Sequence, residues 1–232
     1  MSATAIGLSD RAAARFWNTT VGKKAVMAIT GIILFGYVIA HLFGNLQIFL
    51  PNGRENINHY AVLLHSHPAF LWAVRSFLIV AVVLHIWSYA DLGIRKLQAR
   101  PVGYTKKKPA GSSFAARTMY WSGPFIAAYV IYHILHFTTG TAYGQGFEEG
   151  KVYENVVGAF ANPAISAIYI IAMILLCLHL YHGLWSWLQS LGMYHPRYTP
   201  IVKRAAGVIA ILIAAGYISI PVAVLAGLLP KT

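Results

Sequence analysis

Long apolar stretches alternate with short polar connections five times along this chain. The stretches run over about 25–50, 69–94, 119–140, 163–191 and 205–229. Each holds at least the roughly 20 residues a helix needs to cross a hydrocarbon core of about 30 Å. In hydrocarbon every backbone group must be satisfied within its own segment, which leaves helices as the spanning form. The pattern therefore predicts an all-α fold, an integral membrane bundle of five transmembrane helices. Residues 1–24 read as a polar, basic N-terminal arm and residues 25–230 as a single transmembrane domain.

Composition agrees with lipid as the solvent. Of the 232 residues, 58% are hydrophobic and 10% charged, where a soluble domain carries about 25% charged residues. The net charge is +12, from 18 Lys and Arg against 6 Asp and Glu. In a soluble chain that excess would point to nucleic acid. Here the basic residues sit between apolar stretches, so no nucleic-acid partner is expected and the charges report topology. One side collects Arg11, Arg15, Lys23, Lys24, Arg95, Lys96, Arg100, Lys106, Lys107, Lys108, Arg117, Arg197, Lys203 and Arg204. The other has Arg54, Lys151 and Lys231, with Glu55, Glu148, Glu149 and Glu154. The positive-inside rule places the N-terminus in the cytoplasm and the C-terminus outside. The single cysteine, Cys177, excludes a disulfide framework and any cysteine-based zinc or iron–sulfur site within the chain.

Six of the ten histidines fall inside predicted spans: His41, His85, His133, His136, His179 and His182. An ionisable side chain in a membrane is costly and marks a functional candidate, although one such His can simply hydrogen-bond a neighbouring helix. The six are patterned. The first span has Thr30-Gly31 and then His41; the third has Ser122-Gly123 and then His133. Gly and His are ten residues apart in both. The second and fourth spans share Leu84-His85-Ile86-Trp87 and Leu178-His179-Leu180-Tyr181. Two helical hairpins thus repeat one plan.

Depth sorts these residues into layers. At a rise of 1.5 Å per residue, His41 lies roughly 26 Å beyond Lys24 and His133 roughly 24 Å beyond Arg117. His85 lies about 15 Å before Arg95, and His179 sits at a similar depth. One histidine pair therefore forms an outer layer and another an inner layer, each drawn from two helices. Facing imidazoles across a bundle are what a six-coordinate haem requires, and filling both axial positions leaves electron transfer as the chemistry. Tetrahedral zinc needs four converging donors, and the layers are roughly 10 Å or more apart. A proton relay ordinarily adds Asp or Glu within the spans, and only Asp91 comes near one. Gly183 follows His179 by one turn and would admit a flat macrocycle, or serve helix packing. Arg75 would pair a haem propionate or snorkel to the interface. His136 and His182, one turn past His133 and His179, are alternative ligands, propionate partners or interhelical donors.

These stretches carry a resemblance. The chain resembles the cytochrome b membrane anchor of succinate:quinone oxidoreductases (succinate dehydrogenase and fumarate reductase) in the five-helix, dihaem form. The likeness covers nearly the whole chain. It is strongest from Phe16 through Lys24, in His41-Leu42-Phe43-Gly44-Asn45, in Leu84-His85-Ile86-Trp87, from Ser122 to His133, and from His179 through Gly183 to Ser186. The resemblance implies two haems b, with His85 and His179 binding the inner and His41 and His133 the outer. It favours His133 over His136 by the spacing from Gly123, and His179 over His182 by the glycine four residues on. It implies a flavoprotein subunit and an iron–sulfur subunit docked on the cytoplasmic face of a bacterial inner membrane. It also implies quinone as substrate, menaquinone by the dihaem plan. No GxGxxG and no cysteine cluster is present, so flavin and iron–sulfur centres are expected on those partners. A formate dehydrogenase or hydrogenase cytochrome b is a related reading. A haem-free transporter or assembly protein, using the histidines for protons or metal, is the reading from another class.

Overall fold

The computed structural model describes residues 16–99, 102 and 113–229, and among these the chain is helical with no strand. Helix α1 spans Thr20–Leu46 and ends in a 3-10 turn, Gln47–Phe49. It is followed by α2 (Gly53–His65), α3 (Pro68–Gln98), α4 (Phe114–Phe137), α5 (Val152–Phe160), α6 (Pro163–Ser190) and α7 (Thr199–Leu225). Arg11, Arg15, Arg100, Lys106, Lys107, Lys108 and Lys231 lie outside the described residues.

Local chemistry sets the helix starts. The side chains of Thr19, Ser113 and Asn162 accept the backbone N–H groups of Gly22, Ala116 and Ala164, replacing partners the first turn lacks. Proline stands in the first turn of α3, α6 and α7, where its missing N–H costs nothing. Between the 3-10 turn and α2, Asn52 adopts φ 60°. A Cβ on the next residue, Gly53, would collide with the Ile48 carbonyl, so this close turn requires glycine.

Helices α1, α3, α6 and α7 are long and apolar enough to cross a membrane. The third expected span is also a helix, α4, of 24 residues. Tyr120, Trp121, Ser122, Pro124, Tyr129, Tyr132, His133 and His136 keep it short of the apolarity the other four reach. Large apolar side chains stand exposed along the bundle, on α3 alone Phe70, Phe77, Ile79, Val80, Val83, Ile86 and Ile94. A water-soluble protein rarely shows so continuous an apolar surface, and the bundle has transmembrane character.

Helix α6 occupies the centre, with α1, α4 and α7 packed on it, while α3 packs on α1. Leu42, Leu180, Ala210 and Ile213 join α1, α6 and α7 in one apolar cluster. Tyr217 of α7 donates to the Val38 carbonyl of α1 at 2.7 Å. Gly216 lets α7 approach Leu42, since a Cβ there would stand 3.1 Å from its methyls. Close backbone approach of this kind replaces the hydrophobic drive that lipid removes.

The connections hold two short helices that a search for long apolar runs passes over. α2 buries Ile57 and Ala61, and α5 buries Tyr153, Val156, Val157 and Phe160. These apolar positions recur at the spacing of one helical face. Arg54 Nε donates to Glu154 Oε1 at 2.6 Å and Asn58 Nδ2 to Glu154 Oε2 at 2.9 Å. The Tyr153 N–H donates to Asn58 Oδ1 at 2.9 Å. The α1–α3 and α4–α6 connections therefore meet at one end of the bundle and form a cap over it. Beneath it, Ile48, Ile57, Val157, Phe160, Tyr169, Ile220 and Val224 share one core.

Burial works against the Glu154 carboxylate, but hydrogen bonds from Asn58 and Arg54 and the Arg54 charge outweigh it and hold its pKa below the usual 4.5. A depressed carboxylate contributes stability that is complete above the unfolded value and is lost as pH falls through the native one. Hydrogen exchange should therefore show α2 and α5 well protected at neutral pH and losing protection together under acid. Glu154→Gln should weaken that protection already at neutral pH and flatten its acid dependence.

Candidate functional site

The bundle brings the four predicted histidines together as two pairs. His41 of α1 meets His133 of α4 with ring centroids 5.8 Å apart and planes 80° apart. His85 of α3 meets His179 of α6 at 6.3 Å and 56°. His41 lies five residues before the end of α1 and His133 four before the end of α4, so this pair sits near the cap. His179 lies 16 residues into α6, about 24 Å along it, which places the second pair toward the opposite end. Each pair joins one helix of the α1–α3 hairpin to one of the α4–α6 hairpin.

The geometry fits a shared metal between each pair. An imidazole nitrogen stands about 2 Å from a bound metal, so two rings on one atom have centroids roughly 6 Å apart. The Nδ1 atoms of His133 and His179 are buried without a hydrogen-bond partner, an uncommon condition for buried polar groups that marks these rings as functional candidates. A Cβ on Gly183, one turn from His179, or on Gly123 would meet nothing within 4 Å, which leaves room for a flat ring at those backbones. A tetrahedral ion would need more donors at one point; among the described residues no three or more His, Cys, Asp or Glu converge on one.

The two additional histidines differ from their neighbours. His136 is 1% exposed, and its Nδ1 lies 2.9 Å from the Tyr169 hydroxyl. Its ring stacks between Tyr132 at 5.1 Å and Tyr143 at 5.2 Å. It is thus held in an aromatic cluster under the cap, while His133 turns toward His41. His182 stands edge-on to Trp185 at 5.4 Å, with its Nδ1 buried and unpartnered. On α6 it is the His179 ring that meets His85. Arg75 lies over the Trp72 ring at 5.2 Å, seven residues and about 10 Å into α3 from its capped end, and the Tyr37 ring stacks on His41 at 5.5 Å. That places Arg75 at the level of the outer pair.

Sequence reasoning did not find what surrounds the rings. His85 Nδ1 lies 3.1 Å from the Met27 carbonyl and 3.2 Å from Thr30 Oγ1. A Cβ on Gly31 would touch His85 Cε1 at 3.4 Å, so Gly31 lets the ring lie against α1, while Gly44 does the same for Tyr60 and Gly36 faces open space. At the end away from the cap Lys23 is buried with its Nζ 3.8 Å from the Trp17 ring and 5.7 Å from that of Trp87, and Lys203 Nζ lies 4.3 Å from that of Trp185. These cation–π contacts hold two charges against the bundle without carboxylates. Only the Thr-Gly and Ser-Gly repeat hinted at such contacts.

No family model, no curated protein and no solved structure matches this chain.

Removing the Tyr169 hydroxyl would leave the buried His136 Nδ1 without its partner. Tyr169→Phe should destabilise the protein by about 1–3 kcal/mol, read as a lower thermal midpoint in detergent or lipid. The His41–His133 pair should keep its arrangement.

Proposed function

We propose that this chain is a dihaem cytochrome b that anchors a succinate:quinone oxidoreductase in a bacterial inner membrane and passes electrons between an iron–sulfur subunit and membrane quinone. The observation that carries the reading is the pairing of four histidines, two by two, across two hairpins at two levels. The sequence resemblance converges on the same four positions. In this reading α4 is a fifth membrane span, supported by its packing along the full-length helix α6 and by the cap that joins its end to that of α1. The N-terminus is cytoplasmic and the C-terminus outside, supported by Lys23, Lys24, Arg95, Lys96, Arg117, Arg197, Lys203 and Arg204 at the uncapped end. Glu148, Glu149 and Glu154 lie in the cap.

His85 and His179 would hold the inner haem, His41 and His133 the outer. When bound, bis-His haems b supply one-electron carriers that do not take O₂ at the iron. The protein's own work is positional. It fixes ring separation through the α1–α3 and α4–α6 packing, keeps water from the rings with apolar helices, and offers Arg75 as a charge partner to an outer propionate. The basic uncapped end is a docking face for the flavoprotein and iron–sulfur subunits, which carry the succinate chemistry.

A reduced-minus-oxidised spectrum of the purified protein, with haem quantified per chain, should show a b-type band and two haems. No haem band in a folded preparation supplied with haem would return the histidines to proton or metal handling in a haem-free transporter or assembly protein. His85→Ala and His179→Ala should each remove the inner component and spare the outer one. His182→Ala and His136→Ala should keep both; loss of a haem in either would reverse the assignment on that helix. Arg75→Leu should shift the outer midpoint more than the inner, and equal shifts would remove Arg75 from the propionate role.

A further inference from the structure

The two hairpins repeat a hydroxyl as well as a histidine. Thr30 precedes Gly31 on α1 and Ser122 precedes Gly123 on α4, each eleven residues before the outer-pair histidine of its own helix. Thr30 is buried, and its Oγ1 donates to the Val26 carbonyl at 2.7 Å while lying 3.2 Å from His85 Nδ1. The Met27 carbonyl, 3.1 Å from the same nitrogen, can only accept. Nδ1 must therefore carry the proton and donate to Met27 and Thr30, which leaves Nε2 as the unprotonated nitrogen. Thr30 is committed as donor to Val26 and as acceptor to His85, so its hydroxyl cannot reverse direction without breaking the second bond.

Ser122 holds the place in the α4–α6 hairpin that Thr30 holds in the α1–α3 hairpin, since α4 packs on α6 as α3 packs on α1. Ser122 Oγ is buried and unpartnered, and so is His179 Nδ1. The structure gives neither group a partner, and by the repeat they correspond to the two groups that meet in the first hairpin. Buried groups of this kind are ordinarily paired.

We infer that Thr30 and Ser122 are positioning residues, one per hairpin, whose hydroxyls accept the Nδ1–H of His85 and His179 and so direct the Nε2 atoms of the inner pair toward each other. Among the described residues no hydroxyl or carbonyl is hydrogen-bonded to the rings of His41 and His133, which are flanked by the rings of Tyr37, Tyr129 and Phe137. A hydrogen bond accepted from the far nitrogen of a ligating imidazole raises its basicity and favours the oxidised metal. The two levels of the bundle are therefore built to differ in potential, the inner pair being lowered by its hydroxyls. This inference rests on the dihaem reading.

The test is a redox titration of the purified chain carrying Thr30→Val, Thr30→Ser, Ser122→Ala or Ser122→Thr, with haem content and the low-spin ferric EPR signals recorded on the same samples. Thr30→Val and Ser122→Ala should each raise the inner midpoint by about threefold to tenfold in the one-electron equilibrium, the latter being 59 mV. The outer midpoint and the haem content should stay as in the parent, and the inner EPR signal should shift. Thr30→Ser and Ser122→Thr, which keep the hydroxyl, should restore the parent values. An unmoved inner midpoint in variants that retain both haems would overturn the inference while leaving the dihaem reading intact. Equal shifts at both levels, or failure of the hydroxyl-keeping variants to rescue, would also overturn it. Absence of haem from the parent protein would instead sink the dihaem reading itself.

Discussion

A polar ring buried among apolar helices must find a partner, and the bundle is arranged around six such rings. Lipid offers no hydrogen bonds, so an imidazole inside the membrane is satisfied by another helix, by a hydroxyl or carbonyl, or by a ligand. His85 is satisfied by α1, through Thr30 and Met27, and His136 by α6, through Tyr169. His133, His179 and His182 keep buried nitrogens without partners. The partners found lie within each hairpin, and the two hairpins meet where the His41–His133 and His85–His179 rings face each other.

The cap follows from that arrangement. With α1 and α4 both ending near the outer histidine pair, their connections to α3 and α6 emerge side by side. The ion pair between Arg54 and Glu154 and the bonds of Asn58 fasten them. Each such polar contact is worth little in water, where exposed ion pairs contribute about 0–1 kcal/mol. The apolar core beneath, from Ile48 through Val224, supplies the larger share and ties the cap to α6 and α7. The same core fixes Tyr169, and through it His136.

The two histidine levels have different surroundings. Around the His41–His133 pair are aromatic rings; beside His85 are the Thr30 hydroxyl and the Met27 carbonyl, with lysines on tryptophan faces farther from the cap. For the electron-carrying role proposed, that contrast would be the means by which one protein gives two chemically identical groups different potentials. Two bis-His haems would share the same axial ligands, so a difference between them would have to come from hydrogen bonding and local charge.

The sequence by itself determined the solvent, the long helices and the histidine plan. Apolar runs of sufficient length leave the backbone no other form in lipid, and the ten-residue interval from Gly to His in two spans reveals the repeat. Depth along the helix, counted from basic residues, was enough to sort the histidines into two levels, because helical rise is constant. Sequence could not separate His133 from His136 without a resemblance, since residues one turn apart share a face. Only packing decided that His136 turns to Tyr169 while His133 meets His41. It also could not find α2 and α5, whose burial exists only because two connections meet, nor the pairing of Thr30 with His85, 55 residues apart. Such contacts depend on which helix faces which, and periodicity within one helix carries no information about its neighbour.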